Sequence, residues 1–570
     1  MRKLLFFIPI LFFLSCGNKQ EWVDLVIYNA NIYTVDSSFS VCTSMAINNG
    51  KIVATGTDEE IKTKYNSSTL IDAEGKTIFP GFIDAHCHFL GYGLGLQQAD
   101  LVGTRSFDEV LKRLPSPTEE SFKTGTWIIG RGWDQNDWDT KEYPTNEKLN
   151  SLFPNTPVFL TRVDGHAALV NETALRLAGI NEKTKINGGE FILKDGKLTG
   201  ILIDNAVDLV SKVIPQPTKE QKQKALLAAQ KNCFAVGLTT VDDAGLMKRE
   251  IDIIDELQKK GDLKMRIYAM LSDSAPNYAY YLKKGPYKTD KLNVRSFKFY
   301  ADGALGSRGA CLLKDYEDKK NWKGFLLSDK KHFEKYAKIM YEKGFQMNTH
   351  CIGDSAVRFM LSIYSAYFDN HCISDQKFEK EKPGQTLRWR IEHHQVTTYR
   401  DLDVLNCINL PTAKPNAPQI IPSIQPTHAT SDMYWAQERL GKERIKYAYA
   451  YKYLLNSTGM VALGTDFPVE DISPFKTFYA AVVRKDAKGF PATGFQPENA
   501  LTRQDALRGM TIWAARANFE ETEKGSIEKG KLADFVVLDQ DLIKTAPENI
   551  PGTKVISTFI NGQKVYTNKQ

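Results

Sequence analysis

The sequence predicts an α/β fold: a (β/α)8 TIM barrel that carries a small β-sandwich built from both termini and a subdomain inserted after the first barrel strand. Three observations lead there. Eight short apolar segments recur within residues 80–519, with helical stretches between them. The two ends of the chain, residues 22–79 and 520–570, share another style, in which strand-like runs alternate with tight turns. The interval 91–230, between the first and second apolar segments, is far longer than a single connection needs.

Residues 1–16 read as an address. "MRK" is a basic n-region, "LLFFIPILFFL" is an eleven-residue apolar run, and Ser15-Cys16 follows. Such a run spans only about half of a ~30 Å hydrocarbon core, so a permanent transmembrane helix is not expected. A small residue before cysteine resembles a bacterial lipobox, with Cys16 as the lipidated N-terminus after cleavage of the signal peptide; ordinary secretion with cleavage nearby is the alternative. The lipoprotein reading places the mature chain on an extracytoplasmic membrane face, periplasmic or surface-exposed.

A chain of 570 residues with 42% hydrophobic and 25% charged residues is globular and long enough for two or three packed units. Its net charge of +6 includes Arg2 and Lys3 of the leader, and no lysine/arginine block stands out, so no nucleic-acid partner is expected. Seven cysteines follow Cys16, scattered and without a C-x-x-C pair, which suggests neither a disulfide framework nor a structural zinc knot; export would still permit one bridge.

In the N-terminal flank, "DLVIYNANIYTV", "SMAINNGKIVATG" and "STLIDAEGKTIF" are strand-like, with Asn49-Gly50 and Glu74-Gly75 where tight turns belong. The C-terminus returns to this pattern in "LADFVVLD" and "KVISTFINGQKVY". Between them come "IFPGFIDAHCHF", "GLTTVDDAG", "KMRIYAML", "VRSFKFYADG", "FQMNTHCIG", "LRWRIEHHQV", "IIPSIQPTHA" and "MVALGTDFPV" as barrel strands. The stretch "KEQKQKALLAAQKNCFAVG" has helical spacing and ends at glycine. Segments such as "WIIGRGWDQNDW" and "PVFLTRVDGHAALVN" fill the insertion, expected over the barrel mouth.

His86 and His88 are two apart on a strand, so both imidazoles project to one face while Cys87 points away. Alone, H-x-H is a weak signal. Its companions strengthen it: His350, His393 and Asp466 each end a different strand candidate, at the face where barrels build their sites. Of nine histidines, four stand at these positions, and imidazoles with a carboxylate suit zinc or a neighbouring metal.

The order H-x-H, Lys, His, His, Asp resembles the amidohydrolase superfamily. "PGFIDAHCHF", "KFYADGALGSRGA", "NTHCIGD", "RIEHHQ", "SIQPTHATSD" and "LGTDFPV" are similar to its amidohydrolase family 3, or YtcJ-like, branch, and the likeness runs from about Val23 to the end. The resemblance implies a barrel with a two-termini β-sandwich and a dinuclear centre. His86, His88 and Asp466 would hold one divalent metal, His350 and His393 the other, zinc in both, with a carbamate on Lys298 between them. Lys298 sits between Phe297 and Phe299, and an ammonium buried beside two cations would be disfavoured, leaving an amine able to capture CO2. His393 and His394 are adjacent, so alternation lets only one face inward; the motif selects His393, and the same parity sets Glu392, Cys87 and Cys351 aside.

Two metals about 3.5–4 Å apart can share a hydroxide and polarise a carbonyl. The expected reaction is hydrolysis of a C–N bond, in an amide or N-substituted formamide that is not a peptide, with Asp466 carrying the proton to the leaving nitrogen. Trp133, His166, Asp302, Arg308, Gln425 and His428 resemble recurring family positions and are candidates for substrate contact, with Trp133 as core and Arg308 in a structural ion pair as the ordinary alternatives. A mononuclear deaminase or cyclic-amidine hydrolase is the nearest rival, which Lys298 disfavours; a non-catalytic surface-binding lipoprotein is the other. Dimers are frequent among relatives, so a homodimer is possible.

Overall fold

The computed structural model describes residues 20–115, 127–162, 167–186, 189–367, 387–409 and 419–568. The signal segment with Cys16, and His166, lie outside the described residues. Eight strands pair in parallel and in chain order: β1 (Phe82–Cys87), β2 (Leu238–Leu246), β3 (Arg266–Ser272), β4 (Leu292–Tyr300), β5 (Gln346–Cys351), β6 (Arg390–His393), β7 (Ile421–Ile424) and β8 (Ala462–Leu463). These are the eight segments read from the sequence. Every residue of β1, β6 and β7 is buried, as strands covered on both faces require.

The barrel's seam lies at the site. Asp466 N–H donates to His86 O at 2.8 Å, joining the exit of β8 to β1. Gly464 permits this approach, because a Cβ there would stand 2.5 Å from His86 N. Asp84 clasps the same seam, accepting from Thr465 N at 3.0 Å and Thr465 Oγ1 at 2.7 Å. A helix, Lys330–Lys343, joins β4 to β5; Asp329 caps its start and left-handed Gly344 its end.

Both termini build the sandwich. One sheet orders Lys51–Gly56, Ser44–Asn48, Leu25–Tyr28 and Leu70–Asp72; the other interleaves Thr77–Pro80 and Asn31–Tyr33 with C-terminal Phe535–Leu538 and Val555–Ile560. Their shared core includes Ile27, Ile47, Ile78, Phe535 and Phe559, the last two stacked at 4.3 Å. Arg266, at the start of β3, pairs through two nitrogens with Asp534 at 2.5 and 3.0 Å and so ties barrel to sandwich.

The chain divides into two compact units, the second comprising residues 88–230 and 249–263. That unit has its own six-stranded mixed sheet, from Ala99–Asp100 to Lys197–Asp204, and its own apolar cores around Trp133, Leu160 and Leu169 and around Phe159, Val170 and Leu202. Among the described residues no helix is long and apolar enough to cross a membrane.

Candidate metal centre

The six side chains singled out along the sequence meet at the C-terminal ends of the barrel strands. Ligand atoms of His86, His88 and Asp466 lie within 4.8 Å of one another, and those of His393, His428 and Asp466 form a second such group. The His393 ring is 4.4 Å from that of His350 and 4.9 Å from that of His86. Lys298 Nζ is 3.0 Å from His86 Nε2.

Local backbone aims these groups. His86, Lys298 and His350 obey strand alternation. His393 and Asp466 do not: each has positive φ, 70° and 63°, a conformation that non-glycine residues rarely hold. In β6 the regular inward residues are Arg390 and Glu392, and the left-handed turn at His393 brings a further side chain to the same interior. The parity reading that set Glu392 aside is therefore corrected. Glu392 Oε2 sits 2.6 Å from His86 Nδ1, with both side chains fully buried. His394 is buried too, at 1% exposure, with Asp401 of the helix Tyr399–Asn409 as its nearby charge. Cys87 and Cys351 turn to backbone carbonyls, those of Asp242 and Thr349.

Behind Glu392 runs a buried chain of charge. Arg390 lies 3.8 Å from Glu392 and 2.9 Å from Asp242, donates to Ala85 O, and meets Asn518, which in turn donates to Asp242. Burial alone would raise the Glu392 pKa, but His86 and Arg390 hold it down at about 2. Ionised Glu392 thus fixes the His86 tautomer, keeping the proton on Nδ1 and the Nε2 lone pair towards the cluster. Sequence parity missed this residue, although "RWRIEH", with Arg388, Arg390 and Glu392 alternating in an apolar strand, carried the signal of a polar inward face.

The residues fit a metal. His350 Nε2 and His393 Nδ1 are buried and have no hydrogen-bond partner among the described residues. Burial above all pushes His350 down to about 3, and burial pushes His393 well down. These rings are neutral, with lone pairs free to coordinate. Lys298, 1% exposed, is likewise driven by burial towards its neutral amine.

The remaining candidates fall in different places. His428 Nε2 stands 3.1 Å from Asp466 Oδ2, and its Nδ1 is 3.3 Å from Glu470; burial opposes its charge, but these two partners push its pKa up to about 10. Asp302 accepts backbone N–H bonds from Cys311, Ile352 and Gly353 at 2.8–3.0 Å, clamping the loops after β4 and β5, and lies 3.7 Å from His350 Nε2. Gln425 is buried beside β7, and its Oε1 has no hydrogen-bond partner among the described residues. Arg308 forms a two-nitrogen pair with Asp318, and Trp133 is core of the inserted unit, its indole donating to Leu160 O at 2.8 Å.

Comparison with known proteins agrees with this geometry. The amidohydrolase family model matches residues 69–566. YtcJ of Bacillus subtilis (strain 168) is 31% identical, over 94% of this chain and 98% of its own. An N-substituted formamide deformylase of Arthrobacter pascens is 26% identical, over 95% and 97% respectively. Among solved structures, a metal-dependent hydrolase of Pyrococcus horikoshii superposes with a TM-score of 0.76 at 25% identity, covering 92% of this chain and 99% of that one.

Proposed function

The chain belongs to the amidohydrolase family of metal-dependent hydrolases, and on that premise we infer that it hydrolyses the C–N bond of a non-peptide amide, most directly an N-substituted formamide. One observation carries the reading: four imidazoles, a carboxylate and a buried amine, contributed by five different strand ends, converge on one site. The full-length similarity to a formamide deformylase supports the choice of substrate class.

Two divalent ions, zinc by the softness of the imidazole donors, would supply Lewis acidity and an activated water when bound. His86, His88 and Asp466 would hold one, His350 and His393 the other. Lys298, whose amine burial favours in the neutral form, would take up CO2 with formation of an N–C bond and release of one proton, and the carbamate would supply a carboxylate for holding the two ions. Asp466 takes a proton from the attacking water and delivers it to the leaving nitrogen as the C–N bond breaks; water thus ends as the carboxylate's new oxygen and the amine's new N–H. His428 holds Asp466 Oδ2 so that Oδ1 stays on the His86 side, 3.7 Å from His86 Nε2.

The chain works at a membrane from an extracytoplasmic face, tethered through lipid on Cys16. The leader sequence supports this, as does the disulfide at Cys407, a bond that persists in oxidising compartments. The test of function is a screen of the metal-loaded protein on N-formyl and N-acyl amines, cyclic amides and aminated bases. Carboxylate plus amine from the first group, abolished in His350→Ala, is the expected result. Ammonia released from bases alone would overturn it.

A further inference from the structure

Tyr300 ends β4, two residues beyond Lys298, so strand alternation sends both side chains to one face. Lys298 Nζ lies 5.0 Å from the centre of the Tyr300 ring, and the His350 ring lies 5.5 Å from it. Exposure separates Tyr300 from its neighbours. Lys298 is 1% exposed and Phe299 is fully buried, whereas Tyr300 is 42% exposed. The ring is reached by solvent while the Lys298 amine and the His350 ring lie beside it. A large aromatic surface beside the ligand cluster is thereby open to what enters the barrel mouth.

Its hydroxyl is engaged by no side chain or backbone group among the described residues. Gly245 of β2 stands next to it: a Cβ there would be 3.9 Å from the phenol oxygen, so a position without a side chain keeps space at the hydroxyl. Arg308, the cation that a polar substrate group would seek, is instead committed to Asp318, which Arg439 also contacts.

The geometry points to Tyr300 as a substrate-contacting residue whose ring packs on an apolar substituent, aryl or branched alkyl, of the amide, and whose hydroxyl donates a hydrogen bond to that substrate. This rests on the amide-hydrolase reading and narrows it: the substrate is an amide with a bulky apolar group next to the scissile bond, not a small or wholly polar one. Packing of a substrate group on an aromatic ring, with one donor, is the kind of contact that discriminates substrates by about tenfold or more.

The experiment uses the metal-loaded full chain with N-benzylformamide and N-methylformamide, and compares wild type, Tyr300→Phe and Tyr300→Ala. Wild type should prefer the benzyl substrate. Tyr300→Ala should cut that preference by about tenfold, mainly through KM, at wild-type metal content. Tyr300→Phe should keep the size preference and raise KM for both substrates. Benzylamine binding, followed by calorimetry, should weaken in Tyr300→Ala. An undiminished benzyl preference and undiminished benzylamine binding in a folded, metal-replete Tyr300→Ala would overturn the proposal. Should Tyr300→Ala lose metal or fold, Tyr300→Phe decides instead, and unchanged KM values there overturn the hydroxyl's role. If wild type cleaves neither formamide, the choice of formamides as substrate falls, while the benzylamine comparison still judges Tyr300.

Discussion

Glu392 Oε2 and His86 Nδ1 lie 2.6 Å apart in the closed interior of the barrel, 306 residues apart in the chain. With Glu392 held ionised by His86 and Arg390, the pair acts as an orienting contact for a ligand imidazole. Glu392→Gln keeps the shape but can leave the His86 tautomer undefined. We expect metal affinity to fall about 10–100-fold, measured by chelator competition, with the melting temperature of the apo-protein little changed. Unaltered affinity would remove this role from Glu392.

Lys298 is the group whose chemistry separates two metals from one. On the proposed carbamate, Lys298→Met removes the group that would hold the second ion, so metal content per chain should drop by half and activity should be lost. Native mass spectrometry of the wild type should show an increment of one CO2 that disappears on acidification. A wild type with one metal per chain and no such increment would move the enzyme to the mononuclear rival.

His428 touches Asp466 but also groups with His393 and Asp466 as a third candidate ligand. As a positioning residue, its replacement in His428→Asn should lower kcat by about 10–100-fold while leaving metal content at the wild-type level. Loss of one metal per chain from that variant would make His428 a ligand instead.

Arg390 and Asp242 are both fully buried and 2.9 Å apart. Arg390→Met strands the Asp242 carboxylate, and breaking such a pair costs about 3–5 kcal/mol. Urea denaturation should register that loss, and Asp242→Asn added to Arg390→Met should recover part of it, since the uncompensated charge is gone.

Much of the site was legible because metal chemistry leaves ordered marks. His86 and His88 share a face by period two, and His350, His393 and Asp466, the other candidate ligands read from the strands, each stand where an apolar run ends. The part that was not legible depends on backbone turns. Alternation tells which side of a strand a residue takes only while the strand is regular. At His393 and Asp466 the chain leaves the strand in a left-handed conformation, so parity gave the wrong answer for Glu392. Nor could alternation separate Arg308 bound to Asp318 from an Arg308 free for substrate, because that depends on a partner ten residues away in a folded loop.

By itself the sequence determined the barrel and the sandwich of joined termini, because periodicity is a local property of the chain, and its resemblance to a known family singled out Lys298 and chose His393 over His394. Tertiary structure alone decided which carboxylate orients His86, which candidates are taken up by packing or ion pairs, and that Tyr300 remains open at the mouth. Those are relations across the barrel, set by how far strands approach and where the backbone turns, and no local pattern encodes a distance between residues hundreds of positions apart.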